Sequence, residues 1–267
     1  MLISMLNSIR RSIFIPKNKF QKISIRYTHD TRDKLKIQYV SDLHIDVRQK
    51  IPIITPQPDV KHLCICGDIG NFQESIVQDF LESIDKQYEK IFIVPGNHEY
   101  GNDCVYDPKT VADDTIKKIC KMYKNIYFLS NSTYQLTEKT VIIGSILWSD
   151  LSKKANANDY TIHNLEFRKN VLFIKHAIMN AKIAKQNVIV MTHFVPTIKL
   201  IHPVYLVSPS IDFFVSDLEY LMASPVIAWI CGHTHSVIDC HINGVYCGVN
   251  ALGYSTDIVC YKYIYAE

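Results

Sequence analysis

The sequence predicts an α/β domain built on a mixed β-sheet, and three observations support this fold class. From Leu35 onward, short apolar runs alternate with amphipathic segments of helical period. Most of these runs are continuously rich in Ile and Val, as expected for strands that are covered on both faces. The stretch IDCHINGVYCG, residues 238–248, places two extended runs around Asn243-Gly244, which is a strong signal for an antiparallel hairpin.

Seven strands are predicted ahead of this hairpin, each from a short run of apolar residues. They are Lys36–Val40, His62–Cys66, Lys90–Val94, Ile126–Leu129, Thr140–Ser145, Asn187–Met191 and Val226–Cys231. Because helical segments separate several of them, we expect most neighbouring strands to run parallel.

Three helices are predicted between these strands. The first has one apolar stripe, formed by Ile76, Val77, Phe80, Leu81, Ile84 and Tyr88. The second carries Ile116, Ile119, Cys120 and Tyr123 on one face, and the third runs from Leu165 to Ala184. The stretch Phe194–Ser210 contains three prolines and is predicted to be a surface loop.

The composition is that of a soluble globular protein. The chain has 267 residues, of which 48% are hydrophobic and 21% charged, so it can bury a substantial core. The net charge of +3 is too small to indicate nucleic acid or membrane binding, and no apolar run is long enough for a membrane span. The eight cysteines include no C-x-x-C pair, so reduced thiols are expected, with one incidental Cys240–Cys247 bridge as the alternative.

Residues 1–34 form a basic N-terminal extension. Six Lys or Arg residues precede the first acidic residue, Asp30. Such a segment is either a poorly ordered or surface-docked extension or an organellar targeting sequence. We therefore predict one domain over residues 35–267 and a cytoplasmic location, with an organellar location as the alternative.

Polar residues follow five of the predicted strands, at the point where each strand ends. These segments are Ser41-Asp42-Leu43-His44, Gly67-Asp68, Gly96-Asn97-His98-Glu99, Thr192-His193 and Gly232-His233-Thr234-His235. In open α/β sheets, ligands bind beyond the carboxyl ends of the strands. A single His or Asp in such a place is usually a cap or a solvated turn residue, but five such ends together indicate one shared site.

The residue types and their spacing favour a metal site. In extended backbone, residues two apart point to the same side, so Asp42 and His44 are expected to approach one centre together. The glycines before Asp68, Asn97 and His233 allow sharp turns and leave room for the ligands. A donor set of imidazoles and oxygens without thiolates suits Mn, Fe or Zn in a reactive site better than a structural zinc.

Taken together, the motifs Asp-x-His, Gly-Asp, Gly-Asn-His-Glu, a later His and Gly-His-x-His resemble the signature of the calcineurin-like metallophosphoesterases, from about residue 35 to the C-terminus. The resemblance implies a four-layer α/β/β/α sandwich, with two mixed sheets flanked by helices and a dinuclear metal site at the strand ends. It implies that Asp42, His44, Asp68 and His235 hold one metal, while Asp68, Asn97, His193 and His233 hold the other. It also implies a metal-bridging hydroxide as nucleophile and His98 as a donor beside the leaving group.

Two further stretches, LWSD at 147–150 and NDY at 158–160, resemble a subgroup of small, mostly uncharacterised members of this family. In that subgroup the second stretch lies near the site, which makes Asn158 and Asp159 candidate substrate contacts. Asp159 is equally well explained as an N-terminal residue of the following helix. His202 is a third candidate contact, although an exposed loop histidine explains it as well.

One departure narrows the expected substrate. Protein Ser/Thr phosphatases of this superfamily carry an acidic residue three positions after the bridging Asp, followed by Arg-Gly, whereas Asn71-Phe72-Gln73 stands here. His98 therefore lacks the expected carboxylate partner. Arg48 and Arg168 are candidates to replace the arginine, and both are also explained as solvated surface residues. The prediction is a hydrolase of small phosphomonoesters or phosphodiesters with two divalent ions, Mn first and then Fe or Zn. The alternatives are a non-catalytic scaffold on the same fold and a nuclease.

Overall fold

Eleven strands form two mixed β-sheets in the computed structural model, which describes residues 34–101, 108–154, 160–254 and 259–267. In chain order they are β1 (Leu35–Val40), β2 (Val60–Cys66), β3 (Lys90–Val94), β4 (Ile126–Phe128), β5 (Ser132–Thr137), β6 (Thr140–Gly144), β7 (Asn187–Met191), β8 (Val226–Cys231), β9 (Val237–Ile242), β10 (Val245–Asn250) and β11 (Lys262–Ala266). The first sheet has the order β11-β1-β2-β3-β4 and the second β5-β6-β7-β8-β10-β9. Strands β11, β5 and β9 lie antiparallel at sheet edges, and the other neighbours are parallel.

Helices cover the outer faces of the two sheets. They are α1 (Ile45–Arg48), α2 (Ser75–Asp85), α3 (Pro108–Cys120) and α4 (Thr161–Ile183). Helices α2 and α3 pack on the first sheet through Phe80, Leu81 and Ile116, and α4 packs on the second through Val171 and Ile174. This is the four-layer α/β/β/α sandwich that the family resemblance implies.

Strand β2 shows why its last four residues, Leu63 to Cys66, are all apolar. Leu63 and Ile65 join the cluster beneath α2, whereas Cys64 and Cys66 join the cluster between the two sheets. All four side chains are fully buried. A strand covered on both faces has no solvent side, so the continuous run replaces the usual alternation.

Most predicted elements are confirmed, including the hairpin, where Asn243 and Gly244 both have positive φ as a type I′ turn requires. Two edge strands, β5 and β11, were not predicted, because their half-exposed sequences lack a continuous apolar run. The prediction of a surface loop over 194–210 is wrong for its first part. Val195 and Leu200 are fully buried, because they pack in the same core cluster as Val171 and Ile174 of α4.

The seven cysteines in the described part of the chain are all free thiols, as predicted. Cys240 and Cys247 face each other across β9 and β10 without a bond between them. Among the described residues, no helix is both long enough and apolar enough to cross a membrane.

Candidate metal centre

Five loops at the carboxyl ends of β1, β2, β3, β7 and β8 meet at one place between the two sheets. Hydrogen bonds tie these loops together: the Asp42 amide donates to the Gly67 carbonyl (3.0 Å), and the Gly232 amide donates to the His193 carbonyl (2.9 Å). The two sheets are joined directly, because the Nδ1–H of His193 donates to the carbonyl of Cys66 over 2.8 Å. Side chains from distant parts of the sequence therefore share one buried cavity.

Several of the site residues have left-handed backbone. The φ values are 56° for Asp42, 46° for His44, 54° for Asp68, 69° for His233 and 48° for His235. Asp42 and His44 do lie together in the cluster. The reason that the sequence suggested, an extended chain between them, is wrong. The chain turns at each of these residues, and such strained backbone in non-glycine residues concentrates at functional sites.

Two groups of side chains and a carboxylate between them make up the cluster. Asp42, His44 and His235 form one group, which we call the Tyr254 side after the tyrosine that covers it. In it, Nε2 of His235 lies 3.4 Å from Oδ1 of Asp42 and 3.0 Å from Nε2 of His44. The ligand atoms of this group all lie within 4.8 Å of one another, close enough to share one cation.

Asn97, His193 and His233 form the other group, which we call the Phe213 side after the residue whose carbonyl contacts His233. Nε2 of His193 lies 3.0 Å from Oδ1 of Asn97 and 3.2 Å from Nδ1 of His233. Asp68 lies between the two sides: its Oδ2 is 3.4 Å from Nε2 of His193 and 3.7 Å from Nε2 of His44.

The hydrogen bonds of two histidines show which ring nitrogen faces the cluster. A backbone carbonyl can only accept, so Nδ1 of His193 carries the proton that it donates to Cys66, and its Nε2 faces Asp68 and Asn97. In the same way Nε2 of His233 donates to the carbonyl of Phe213 (3.3 Å) and leaves Nδ1 facing His193. Metal-binding histidines are oriented by such bonds from the other ring nitrogen.

Comparison with known proteins agrees with this geometry. The model of the family described as calcineurin-like phosphoesterase matches residues 35–237. The uncharacterised protein L509 of Acanthamoeba polyphaga mimivirus is 32% identical over 258 residues, covering 82% of this chain and 91% of its own. The chain belongs to the calcineurin-like phosphoesterases. Among solved structures, the phosphopantetheinyl hydrolase PptH of Mycobacterium tuberculosis has the same fold, with a TM-score of 0.57 at 16% identity over 83% of this chain and 90% of that one.

The donor set of this calcineurin-like phosphoesterase fits divalent metals. The imidazole nitrogens of His44 and His235, and those of His193 and His233, face each other at 3.0 and 3.2 Å beside carboxylate oxygens. Nitrogen lone pairs and carboxylates that converge in this way suit a borderline divalent ion, and the cluster contains no thiolate. The His/Asp cluster is therefore a candidate dinuclear metal site, as the family resemblance implies.

Burial and neighbouring charges shape the protonation of the cluster. Burial lowers the pKa of His44 to about 3, which favours the neutral ring that a metal requires. Burial opposes charge on His193 too, but the carboxylates of Asp68 and Asp42 outweigh it and raise the pKa of His193 to about 9. Burial alone would raise the pKa of Asp68, yet the surrounding imidazoles hold it well below its usual range. The carboxylates thus stay ionised and attract positive charge.

Glu99 supports the two loops that carry Asp68 and Asn97. Its Oε1 accepts from the amides of Ile69 (2.8 Å) and Gly70 (3.0 Å), while Oε2 accepts from those of Asp68 (3.0 Å) and Gly96 (2.6 Å). Burial and the nearby Asp68 carboxylate raise the pKa of Glu99 to about 7. Glu99 thus orients the loops and does not face the cluster as a ligand.

Two glycines are required for space. A Cβ on Gly96 would clash with the carboxylate of Asp68, and one on Gly67 would lie 2.6 Å from Nδ1 of His193. Gly67 also has a φ of +82°, which other residues rarely adopt. The sequence expectation that these glycines leave room for the ligands is confirmed.

The remaining candidates are placed as follows. Nε2 of His98 lies 3.9 Å from Oδ2 of Asp68, and its amide donates to Oδ1 of the same residue. His202 is exposed, and its contacts in the described part of the chain are with Val204 and Tyr205 in its own turn. Asn158 and Asp159 lie outside the described residues.

Three residues near the cluster were not anticipated from the sequence. The ring of Tyr254 stacks on His44 with a centroid distance of 4.3 Å. Phe194 and Phe214 flank the ring of His233, at 4.1 and 5.0 Å. For Tyr254 the available signal was its position just after β10, at the same edge of the second sheet as His193 and His233.

Proposed function

We propose that this calcineurin-like phosphoesterase hydrolyses small phosphomonoesters or phosphodiesters with two divalent ions, of which Mn is the first candidate and Fe or Zn the others. Asp42, His44 and His235 would hold one ion, Asn97, His193 and His233 the other, and Asp68 would contact both. The position of Asp68 carries the proposal, because one carboxylate oxygen lies within 3.7 Å of imidazole nitrogens from both sides.

The ions, when bound, would supply Lewis acidity for the ester and for water. The chain's own residues supply the rest. His98 would donate a proton from Nε2 to the leaving oxygen, a role that contributes about 10² to 10⁴-fold in known enzymes. Asn97 is neutral, so the Phe213 side keeps more positive charge for an anionic substrate than a third carboxylate would allow.

Two features favour small phosphoesters over phosphorylated proteins as substrates. The segment Asn71-Phe72-Gln73 lacks the acidic residue and arginine of the protein phosphatases. Arg48 donates to the carbonyl of Gly253 over 3.1 Å, so this bond ties it to the protein backbone.

Free cysteines agree with a reducing compartment, and we propose a cytoplasmic protein with one catalytic domain over residues 35–267.

The experiment compares the wild-type chain with Asp68→Asn after removal of metals and reconstitution with Mn, Zn or Fe(II). p-Nitrophenyl phosphate and bis(p-nitrophenyl) phosphate serve as substrates. We expect Asp68→Asn to lower kcat/KM by about 10³-fold, since several kcal/mol of charge stabilisation depend on this carboxylate. Metal content, measured on the same samples, should fall below two ions per chain.

Asp79→Asn on the exposed face of α2 is the matched control and should leave turnover unchanged. Equal turnover in Asp68→Asn, or absence of turnover with all three metals, would refute the proposal. A chain that binds fewer than two ions and turns nothing over would instead behave as a scaffold on the same fold.

A further inference from the structure

Tyr254 contacts three histidines of the cluster at once. Its ring stacks on His44 at 4.3 Å with an interplanar angle of 29°, and it meets the edge of His235 at 4.8 Å. Its hydroxyl lies 3.3 Å from Nε2 of His98. The rings of His44 and His98 also touch each other, with centroids 4.4 Å apart. Tyr254 therefore packs against a candidate metal ligand and the candidate proton donor together.

The backbone before Tyr254 is anchored to the same loops. The amide of Gly253 donates to the carbonyl of Asp42 (2.9 Å), and Nη1 of Arg48 donates to the carbonyl of Gly253 (3.1 Å). Gly253 has a φ of +67°, and a Cβ there would come within 3.3 Å of His235. This tight fit sets the direction in which the tyrosine leaves the backbone, so its position against the histidines is built into the fold.

The hydroxyl of Tyr254 also gives His98 a polar partner, which the sequence analysis did not identify. His98 has no acidic residue in the segment where related protein phosphatases carry one. In this structure the hydroxyl of Tyr254 is within hydrogen-bond distance of the nitrogen that faces Asp68. A hydroxyl can both donate and accept, so it can hold this ring in place in either protonation state.

We propose that Tyr254 is a positioning residue with two separable tasks. Its ring holds His44 in place for metal binding, and its hydroxyl holds Nε2 of His98 at the cluster until the leaving oxygen replaces the hydroxyl as the partner of that nitrogen. The second task rests on the proposed function, whereas the first requires only that the cluster binds metal. Since partners that orient ligands from outside the coordination sphere typically change affinity or activity by about 10 to 100-fold, each task is large enough to measure.

The hydroxyl is tested with Tyr254→Phe, which keeps the ring. We expect kcat to fall about tenfold with phenyl phosphate and less with p-nitrophenyl phosphate, because a poor leaving group depends more on the donor. In a His98→Asn background the same change should have no further effect. Tyr261→Phe, an exposed tyrosine of the same C-terminal segment, is the control and should match the wild type. An equal loss of kcat with both esters, or an undiminished loss of kcat in the His98→Asn background, would overturn the task assigned to the hydroxyl.

The ring is tested without turnover, by calorimetric titration of Mn²⁺ into the metal-free chain. Tyr254→Leu should weaken one binding step by about tenfold, while Tyr254→Phe should leave both steps unchanged. Unchanged binding in Tyr254→Leu would overturn the task assigned to the ring. If the wild type hydrolyses esters but Tyr254→Phe equals it, only the hydroxyl's task fails. If the wild type hydrolyses nothing, the proposed function fails and the titration still decides the role of the ring.

Discussion

The Phe213 side and the Tyr254 side hold their histidines in different ways. His193 and His233 each donate from one ring nitrogen to a backbone carbonyl, that of Cys66 or that of Phe213. On the Tyr254 side, Nδ1 of His44 is buried and has no hydrogen-bond partner among the residues that the structure describes, and stacking on Tyr254 positions the ring. A hydrogen bond fixes which nitrogen faces the cluster, whereas stacking fixes only the plane of the ring. We therefore expect the Phe213 side to be the better organised for metal and to bind its ion more tightly.

The largest expected effect comes from removing one histidine from each side. His193→Ala should abolish the tighter of two Mn²⁺ binding steps, and His235→Ala the weaker one, as measured by calorimetry on the metal-free chain. His193→Ala should also lower the free energy of unfolding by about 2–4 kcal/mol, because it leaves a cavity and an unpaired Cys66 carbonyl. His235→Ala should lower the free energy of unfolding by less, by about 1–2 kcal/mol, because its side chain is 15% exposed whereas that of His193 is fully buried.

Urea denaturation of the metal-free variants gives the second measurement, with His241→Ala on the exposed face of β9 as the control. Equal losses of stability in the two variants would contradict the difference between the sides. So would a titration in which His235→Ala removes the tighter step.

A smaller effect is expected from Glu99, which supports the Phe213 side through Asn97 and the shared Asp68. In Glu99→Gln one of the two oxygens becomes an amide NH₂ that faces two backbone N–H donors. We expect the free energy of unfolding to fall by about 1–3 kcal/mol and Mn²⁺ affinity to fall about tenfold. Urea denaturation and calorimetry measure the two quantities, and the exposed Glu138→Gln should change neither. A variant that keeps wild-type stability would show that the four amides do not depend on the carboxylate.

The sequence could predict the central strands and the residues at their ends because both depend on local signals. Continuous apolar runs mark β2, β3, β7 and β8, and the polar residues that follow them stand at a defined place in any α/β sheet. The structure brings all seven of the proposed ligands into one cluster. How they point could not be predicted, since the left-handed backbone at Asp42 and His44 depends on bonds to the loop of Asp68, far along the chain.

The surroundings of the cluster were harder to predict for a related reason. Tyr254 and Phe213 lie outside the polar motifs, and an aromatic residue in a loop reads from sequence as a packing residue. The contact of Tyr254 with His44 joins loops of the two sheets, and that of Phe213 with His233 joins two loops of the second sheet. The position of Tyr254 just after β10 places it at the right edge of the sheet, but the residues around it do not specify which histidine it contacts.

The smallest expected effect concerns the segment that carries Phe213. Lys154 is mostly buried and connects the loop after β6 to this segment: its Nζ donates to the carbonyl of Pro209 (3.1 Å), pairs with Asp212 (3.2 Å) and lies 4.9 Å from the ring of Phe213. Lys154→Met keeps the stem and removes the charge, so the unfolding free energy should fall by at most about 1 kcal/mol. Because the Phe213 carbonyl then holds His233 less firmly, Mn²⁺ affinity on this side should weaken a few-fold, well below the effect of His193→Ala. Its exposed neighbour gives the control, Lys153→Met, which should leave the titration unchanged. A loss as large as that of His193→Ala would mean that the Phe213 side is held mainly from its loop and not from β7.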